Sequence, residues 1–208
     1  MSLMEDPRAL NYLDGRGVST TSRDRFRLGL VVDPPPEHAK ARGRLAIPTI
    51  KRSGVTGFKF RCIRQECIEA DSCDGHGKYV TFEPQAMYNV AALDTDAGSI
   101  AIAEGEFDAL ILDGECSIPA IALPGVSSWD SHPHWRRLLK DFSRIWIFAD
   151  NDADKSKNVG REFAESLTEK LPQAVVVELP SIDGGKADVN TVFLSRGRQF
   201  LRDMIGLK

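Results

Sequence analysis

Ile100-Ala101-Ile102-Ala103-Glu104-Gly105-Glu106-Phe107-Asp108 and, further along, Ile147-Phe148-Ala149-Asp150-Asn151-Asp152 are the stretches whose reading decides the fold. Each is a short apolar run that breaks off into acids, the pattern of a buried strand with polar groups at its carboxyl end. Working outward, 118–123 and 174–179 read as two more strands of the same kind. Helical patterns separate them at 106–112, 134–142 and 158–171, and one closes the chain at 189–205. In 158–171, Val159, Phe163, Leu167 and Leu171 recur every four positions and stripe one helix face. Strands alternating with helices predict a mostly parallel, Rossmann-like α/β sheet with helices on its faces. Ligands collect at the carboxyl ends of such strands, where these acids stand.

Upstream the pattern is different. Residues 7–14 predict a short helix with Pro7 in its first turn and Gly15 beyond its end. Residues 44–50 and 55–63 are β-rich around a Ser53-Gly54 turn signal, which predicts a hairpin, and 77–82 adds a strand. Pro34-Pro35-Pro36 marks a stiff loop, and 65–77 reads as a polar loop. The expected organisation is an α+β N-terminal subdomain over 4–95, then an α/β subdomain over 96–208. Met1-Ser2-Leu3-Met4 is read as an expression scar ahead of a natural start at Met4.

Charge follows the same division. The net charge is −3, but residues 1–92 hold 14 Lys/Arg against 11 Asp/Glu and residues 93–208 hold 13 against 19. From Lys40 to Arg64 there are eight basic residues and no acid. A basic half joined to an acidic half suits a phosphate-gripping surface beside a cation site, though a solvated charged face has the same composition. No apolar run is long enough to span a membrane, and four cysteines without a secretion signal point to a reducing cytoplasm.

Neighbouring strand ends would bring Glu104, Asp150 and Asp152 together. Two carboxylates about 4 Å apart repel by roughly 4 kcal/mol at an effective dielectric near 20, so such a cluster calls for a cation. Hard oxygen donors favour Mg²⁺ or Mn²⁺ over zinc, and such sites serve phosphoryl transfer. The plainer reading is that acids past strand ends cap the next helix, as Glu106, Asp154 or Asp188 would.

The conjunction of E-G-E-x-D-A after one strand with F-A-D-N-D after another resembles the TOPRIM family, shared by bacterial-type primases, topoisomerases and some nucleases. The resemblance covers about 98–195. It implies that Glu104 is the general acid/base and a metal neighbour, and that Asp150 and Asp152 bind a divalent metal. Asp108 matches the E-G-x-x-D extension of primases, and Lys186-Ala187-Asp188-Val189-Asn190 resembles the K-D-x-N element of phage and helicase-linked members. Tyr12-Leu13-Asp14-Gly15-Arg16-Gly17-Val18, then Arg44 to Pro48, Val55 to Arg61, Gly77-Lys78-Tyr79 and Met87 to Val90 follow the order of primase polymerase domains. The whole chain is thus similar to the primases of phages that infect actinobacteria. That resemblance implies a catalytic core making short RNA primers on single-stranded DNA from ribonucleoside triphosphates. Arg44, Arg61 and Lys78 would form its basic ridge, extended by Lys59 and Arg64, with Lys186 as a further nucleic-acid- or nucleotide-binding residue. Lys59 and Arg61 alternate with Phe58 and Phe60, so one strand face is expected to be basic while the other packs into the core. The setting would be the cytoplasm of a phage-infected or prophage-bearing bacterium.

Cys62, Cys67, Cys73 and His76 form a C-x4-C-x5-C-x2-H series. Soft ligands in a loop permit a tetrahedral zinc site, which makes the four a zinc candidate, but the spacing is not the paired C-x2-C form and the favoured reading is unpaired thiols and a loop histidine. Primases of this type carry a separate zinc ribbon, and a separately encoded ribbon or a replicative helicase is the expected partner. The chain has no G-x-x-x-x-G-K-[ST] motif, so no helicase ATPase is expected within it. Two rivals remain open at this point: a TOPRIM nuclease using the same carboxylates, and a non-catalytic single-strand-binding adaptor.

Overall fold

A computed structural model describes residues 6–84, 86–124, 128–151 and 159–208. The chain divides into two compact units, residues 1–85 and 86–208.

In the first unit, helix α1 (Pro7–Gly15) starts where Asp6 accepts from the backbone N–H groups of Arg8 and Ala9, at 2.9 and 3.3 Å. Pro7 fits its first position because the missing N–H is one the helix leaves unbonded there. Ala9, Tyr12 and Leu13 form its buried face. Helix α2 (Thr20–Arg25) is capped by Ser19, and buried Arg23 donates to the Val18 carbonyl and pairs with Asp14. Strands β1 (Gly29–Leu30), β2 (Leu45–Lys51), β3 (Gly54–Arg61) and β4 (Tyr79–Thr81) form an antiparallel sheet in chain order. The predicted hairpin is β2–β3, with Leu45 opposite Arg61 and a bulge at Thr49/Ile50. Its turn needs Gly54, whose φ is +113°. Between β3 and β4 the expected loop contains a short helix, α3 (Gln65–Glu69), with Cys67 as its buried residue.

The second unit begins ten residues before the expected boundary at 95/96. Met87 and Ala92 enter its core, Tyr88 pairs with Ala122 through 2.9 and 3.3 Å backbone bonds, and the buried Asn89 amide donates to Asp113 and to the Ala120 carbonyl. Its strands are β5 (Ser99–Ala103), β6 (Ala120–Ala122), β7 (Arg144–Ala149) and β8 (Ala174–Glu178). They lie in the order β6-β5-β7-β8, and every pairing is parallel. The helices are α4 (Glu106–Leu110), which continues as a π turn over Ile111–Glu115, α5 (Ser128–Ser131), α6 (Trp135–Leu139), α7 (Val159–Lys170) and α8 (Val189–Asp203). Among the described residues, no helix is long and apolar enough to cross a membrane.

The α7 stripe is as the spacing predicts. Phe163, Leu167 and Leu171 pack with Ile100, Ile102, Ile145 and Ile147 from the two central strands. The Val159 side chain lies outside the described residues. Each such side chain, fully buried, stabilises the unit by roughly 1.5–3 kcal/mol. The closing helix is not continuous, because Gly197 adopts φ +78°, ψ 174° and breaks α8 in two.

Candidate active site

The strand order fixes where the acids go. From β5 the chain passes to β6 on one side and later to β7 on the other, so the crevice beyond the ends of β5 and β7 is the topological switch point of the sheet. Ala103 is level with Phe148, which leaves Glu104 and Asp150 side by side just past the sheet. The Glu104 Oε1 atom accepts from the Asp150 backbone N–H at 3.0 Å. Asp150 is partly open to solvent, and its Oδ2 lies 3.9 Å from Lys186 Nζ.

Lys186 arrives there because the chain past β7 pairs with the segment before α8. The Asn151 N–H donates to the Ala187 carbonyl at 2.8 Å and the Asn151 carbonyl accepts from the Ala187 N–H at 3.1 Å, while the Asn151 side-chain amide donates to the Leu179 carbonyl. Asp188 then caps α8, accepting from Thr191 N and Oγ1 at 2.7 Å, as the plainer reading of that residue had it. Asp108 faces the same helix end, and its buried carboxylate accepts from the Asn190 N–H at 3.2 Å. Asp152, expected to complete the metal set, lies outside the described residues, as does Asp154. Glu104, Asp108 and Asp150 do not by themselves form a three-ligand cluster among the described residues. The described donors are all hard oxygens, which fits Mg²⁺ or Mn²⁺ in kind.

Two glycines make room at this edge. Gly105 has an ordinary extended backbone, φ −113° and ψ 153°, so conformational freedom is not what it supplies. A Cβ there would stand 2.7 Å from Asp108 Oδ2, and the close carboxylate is what excludes a side chain. Gly160, in the first turn of α7, is closer still, with a Cβ falling 2.2 Å from Glu104 Oε1 and 3.2 Å from the Asp150 carbonyl oxygen. Sequence reasoning missed Gly160. Its signal was a helix-disfavoured residue near the start of an otherwise well-patterned helix.

The basic residues of the first unit separate into two kinds. Arg44 is 6% exposed and donates to the carbonyls of Lys40 (3.0 Å), His76 (2.7 Å) and Gly77 (3.0 Å), so the structure places it as a tie on the loop before β4. Arg61 is 5% exposed, yet its Nε and Nη1 have no hydrogen-bond partner among the described residues. Its guanidinium lies 5.0 Å from the centre of the Tyr79 ring and lines a cleft of about 500 Å³ with Arg8, Arg16 and Tyr12. Lys59 Nζ sits 4.5 Å from the same Tyr79 ring, and Lys78 pairs with Asp71 at 3.0 Å. The alternation along β3 therefore differs from expectation. Phe58, expected in the core, is 39% exposed, and Arg61, expected on an open basic face, is buried. Tyr79 is the reason, because its ring on β4 carries both cations of β3.

The four soft residues of the 62–77 segment, whose spacing favours unpaired thiols and a loop histidine over a zinc site, come together. The ligand atoms of Cys62, Cys67, Cys73 and His76 all lie within 4.8 Å of one another. Burial raises the Cys62 thiol, but hydrogen bonds with the Arg64 backbone, His76, Cys73 and Cys67 outweigh it and bring the thiol down to about 7.

Residues 99–199 match the Toprim domain family. The Gene 57 protein of Mycobacterium phage D29 is 33% identical over 166 residues, which are 79% of this chain and 99% of that protein. Among solved structures, the Aquifex aeolicus primase (zinc binding and RNA polymerase domains) has a TM-score of 0.74 at 20% identity, covering 98% of this chain and 56% of that one. The RNA polymerase domain of Mycobacterium tuberculosis primase DnaG, in complex with a double-stranded DNA oligomer with a 6-nucleotide overhang, has a TM-score of 0.70 at 19% identity. That match covers 98% of this chain and 74% of the other. Both units of this chain thus follow the fold of primase cores.

Proposed function

Since the chain belongs to one family with the phage D29 Gene 57 protein and carries a Toprim domain over residues 99–199, we propose that it is the catalytic core of a phage DNA primase, joining ribonucleotides on a single-stranded DNA template. The observation that carries this reading is Arg61. Leaving a buried polar group unsatisfied costs about 1–3 kcal/mol, and more for a charged one. On a guanidinium at the wall of a cleft shared with Arg8, Arg16 and Asp71, two such nitrogens favour a small reorientation toward an anionic ligand such as a phosphate group. A nuclease built on the same carboxylates would use such a cleft too, but it would not account for the primase-like fold of the first unit.

In the reaction, a 3′-hydroxyl oxygen attacks the α-phosphorus of the incoming nucleotide, the bond to the β-phosphate breaks and pyrophosphate leaves. Glu104 takes the hydroxyl proton, and the Asp150 N–H at 3.0 Å holds its carboxylate in place. Glu104, Asp150 and Asp152 would hold Mg²⁺ or Mn²⁺, which supplies charge neutralisation at the phosphate oxygens. Lys186 offsets the negative charge around Asp150. Asp108 anchors the start of α8, and so the Lys186 segment, against α4. Arg61 and Lys59 grip phosphates, while Tyr79, which carries both, offers a face to a base.

Incorporation of labelled ribonucleotides on mixed-sequence single-stranded DNA, with Mg²⁺ or Mn²⁺, tests the reading. Short labelled oligomers lost in Asp150→Ala are the expected result. Metal-dependent degradation of the template without synthesis would replace the primase with a nuclease.

A further inference from the structure

The Cys62/Cys67/Cys73/His76 cluster has no part in the reaction above. Its members come from three places: Cys62 directly after β3, Cys67 on α3, and Cys73 and His76 in the loop before β4. Tetrahedral zinc, with bonds of about 2.3 Å to sulfur and 2.0–2.1 Å to nitrogen, spaces its ligand atoms roughly 3.5–3.8 Å apart. Here His76 Nε2 lies 3.3 Å from Cys62 Sγ and 3.4 Å from Cys67 Sγ, and the whole set fits within 4.8 Å. The other ring nitrogen, Nδ1, is 3.0 Å from the Asp74 carbonyl oxygen, an acceptor only. Nδ1 therefore carries the proton, and Nε2 presents its lone pair to the sulfurs. A zinc-ligating histidine is fixed in this way, by a backbone carbonyl on its far nitrogen.

The surroundings are built for closure. Arg44, itself buried, bonds the His76 and Gly77 carbonyls and so fixes the backbone on which the imidazole stands. Gly75 and Gly77, at φ +76° and +69°, allow the turn that brings His76 back over Cys62. The 62–77 segment buries little apolar surface of its own beyond Ile63 and the thiols, so hydrophobic packing does not account for its compact path. We propose that Cys62, Cys67, Cys73 and His76 form a closed, structural zinc site that staples the 62–77 loop to the sheet of the first unit. Soft thiolate donors select zinc here, and the hard carboxylates of the second unit select Mg²⁺ or Mn²⁺, so one chain sorts two metals by donor chemistry. The staple joins the end of β3, at Arg61, to the start of β4, at Tyr79, and so holds the ring on which Arg61 and Lys59 rest.

The test is metal binding by the full chain, with no nucleic acid or nucleotide present, so its outcome is independent of primase activity. Protein stripped of metal under reducing conditions is titrated with Co²⁺ alone, and the visible spectrum is read. One equivalent should produce the intense bands of tetrahedral cobalt and thiolate-to-cobalt charge transfer, both abolished by one equivalent of Zn²⁺. Cys73 is only half-buried, so Cys73→Ser should keep the fold, lose about a third of the charge-transfer intensity as three thiolates become two, and bind at least tenfold more weakly. His76→Cys should retain tetrahedral binding with a fourth thiolate, which a merely packed histidine would not do. Asp150→Ala should leave the cobalt spectrum unchanged. Absence of tetrahedral bands, or the same spectrum in wild type and Cys73→Ser, would overturn the site.

Discussion

Replacing Gly160 with alanine separates the geometry of the acidic edge from its stability. The added Cβ would fall 2.2 Å from Glu104 Oε1 and 3.1 Å from its carboxyl carbon. Ordinary contact lies near 3.5 Å, so the carboxylate must withdraw by roughly 1 Å and release the Asp150 N–H. Losing a hydrogen bond to a charged group costs about 1.5–3 kcal/mol. Alanine in place of glycine returns up to about 1 kcal/mol of helix propensity, leaving a net loss of roughly 0.5–2 kcal/mol. Synthesis should suffer far more, since a 1 Å misplacement of a reacting group costs on the order of 100-fold. Denaturant unfolding and ribonucleotide incorporation, measured on the same preparations, give both numbers. In a Glu104→Ala background the 2.2 Å clash is gone and only the 3.2 Å approach to the Asp150 carbonyl oxygen remains, so Gly160→Ala should cost clearly less there. Equal destabilisation in both backgrounds, or full activity of Gly160→Ala, would refute the coupling.

Three further outcomes follow from the same contacts. Arg61→Met should raise stability, because it removes a buried cation with two unsatisfied nitrogens, while it weakens template or nucleotide binding and flattens the salt dependence by about one unit of slope; a destabilised variant with unchanged slope would take Arg61 out of the phosphate role. Arg44→Met should do the reverse, destabilising by about 2–4 kcal/mol as three carbonyl partners are stranded, with the salt slope intact; a reduced slope would restore Arg44 to the ridge. Asp108→Ala should lower stability by about 1–2 kcal/mol through the uncapped Asn190 N–H, a loss that thermal unfolding would register and Asp108→Asn would partly restore.

The parallel sheet was legible because buried strands read as unbroken apolar runs, and the acids that end β5 and β7 could only lie beside one another once those strands paired. The α7 stripe and the β2–β3 hairpin were legible for a similar reason, since local periodicity and a Ser-Gly turn carry the information. Arg61 was misread because alternation assigns a residue to a face without saying what covers that face, and Tyr79 comes from another strand. The Cys/His series was visible but its convergence was not, because its ligands meet through the return of the loop and not through a short paired spacing. The break in α8 at Gly197 and the room that Gly160 leaves are single-residue matters, invisible to a periodic pattern.

The order β6-β5-β7-β8 also bears on how the protein is made. During synthesis the antiparallel sheet is complete once Thr81 has emerged, and its pairings join neighbours in the chain. Strand β5 meets β6 early, but its second partner is β7, so Glu104 has no Asp150 N–H to bind until that later strand leaves the ribosome. Lys186 and the Asn190 N–H come later still. A nascent chain therefore gains its cationic unit well before its acidic edge is assembled. Premature termination in the second half would yield the antiparallel first unit without the paired Glu104 and Asp150 of the second.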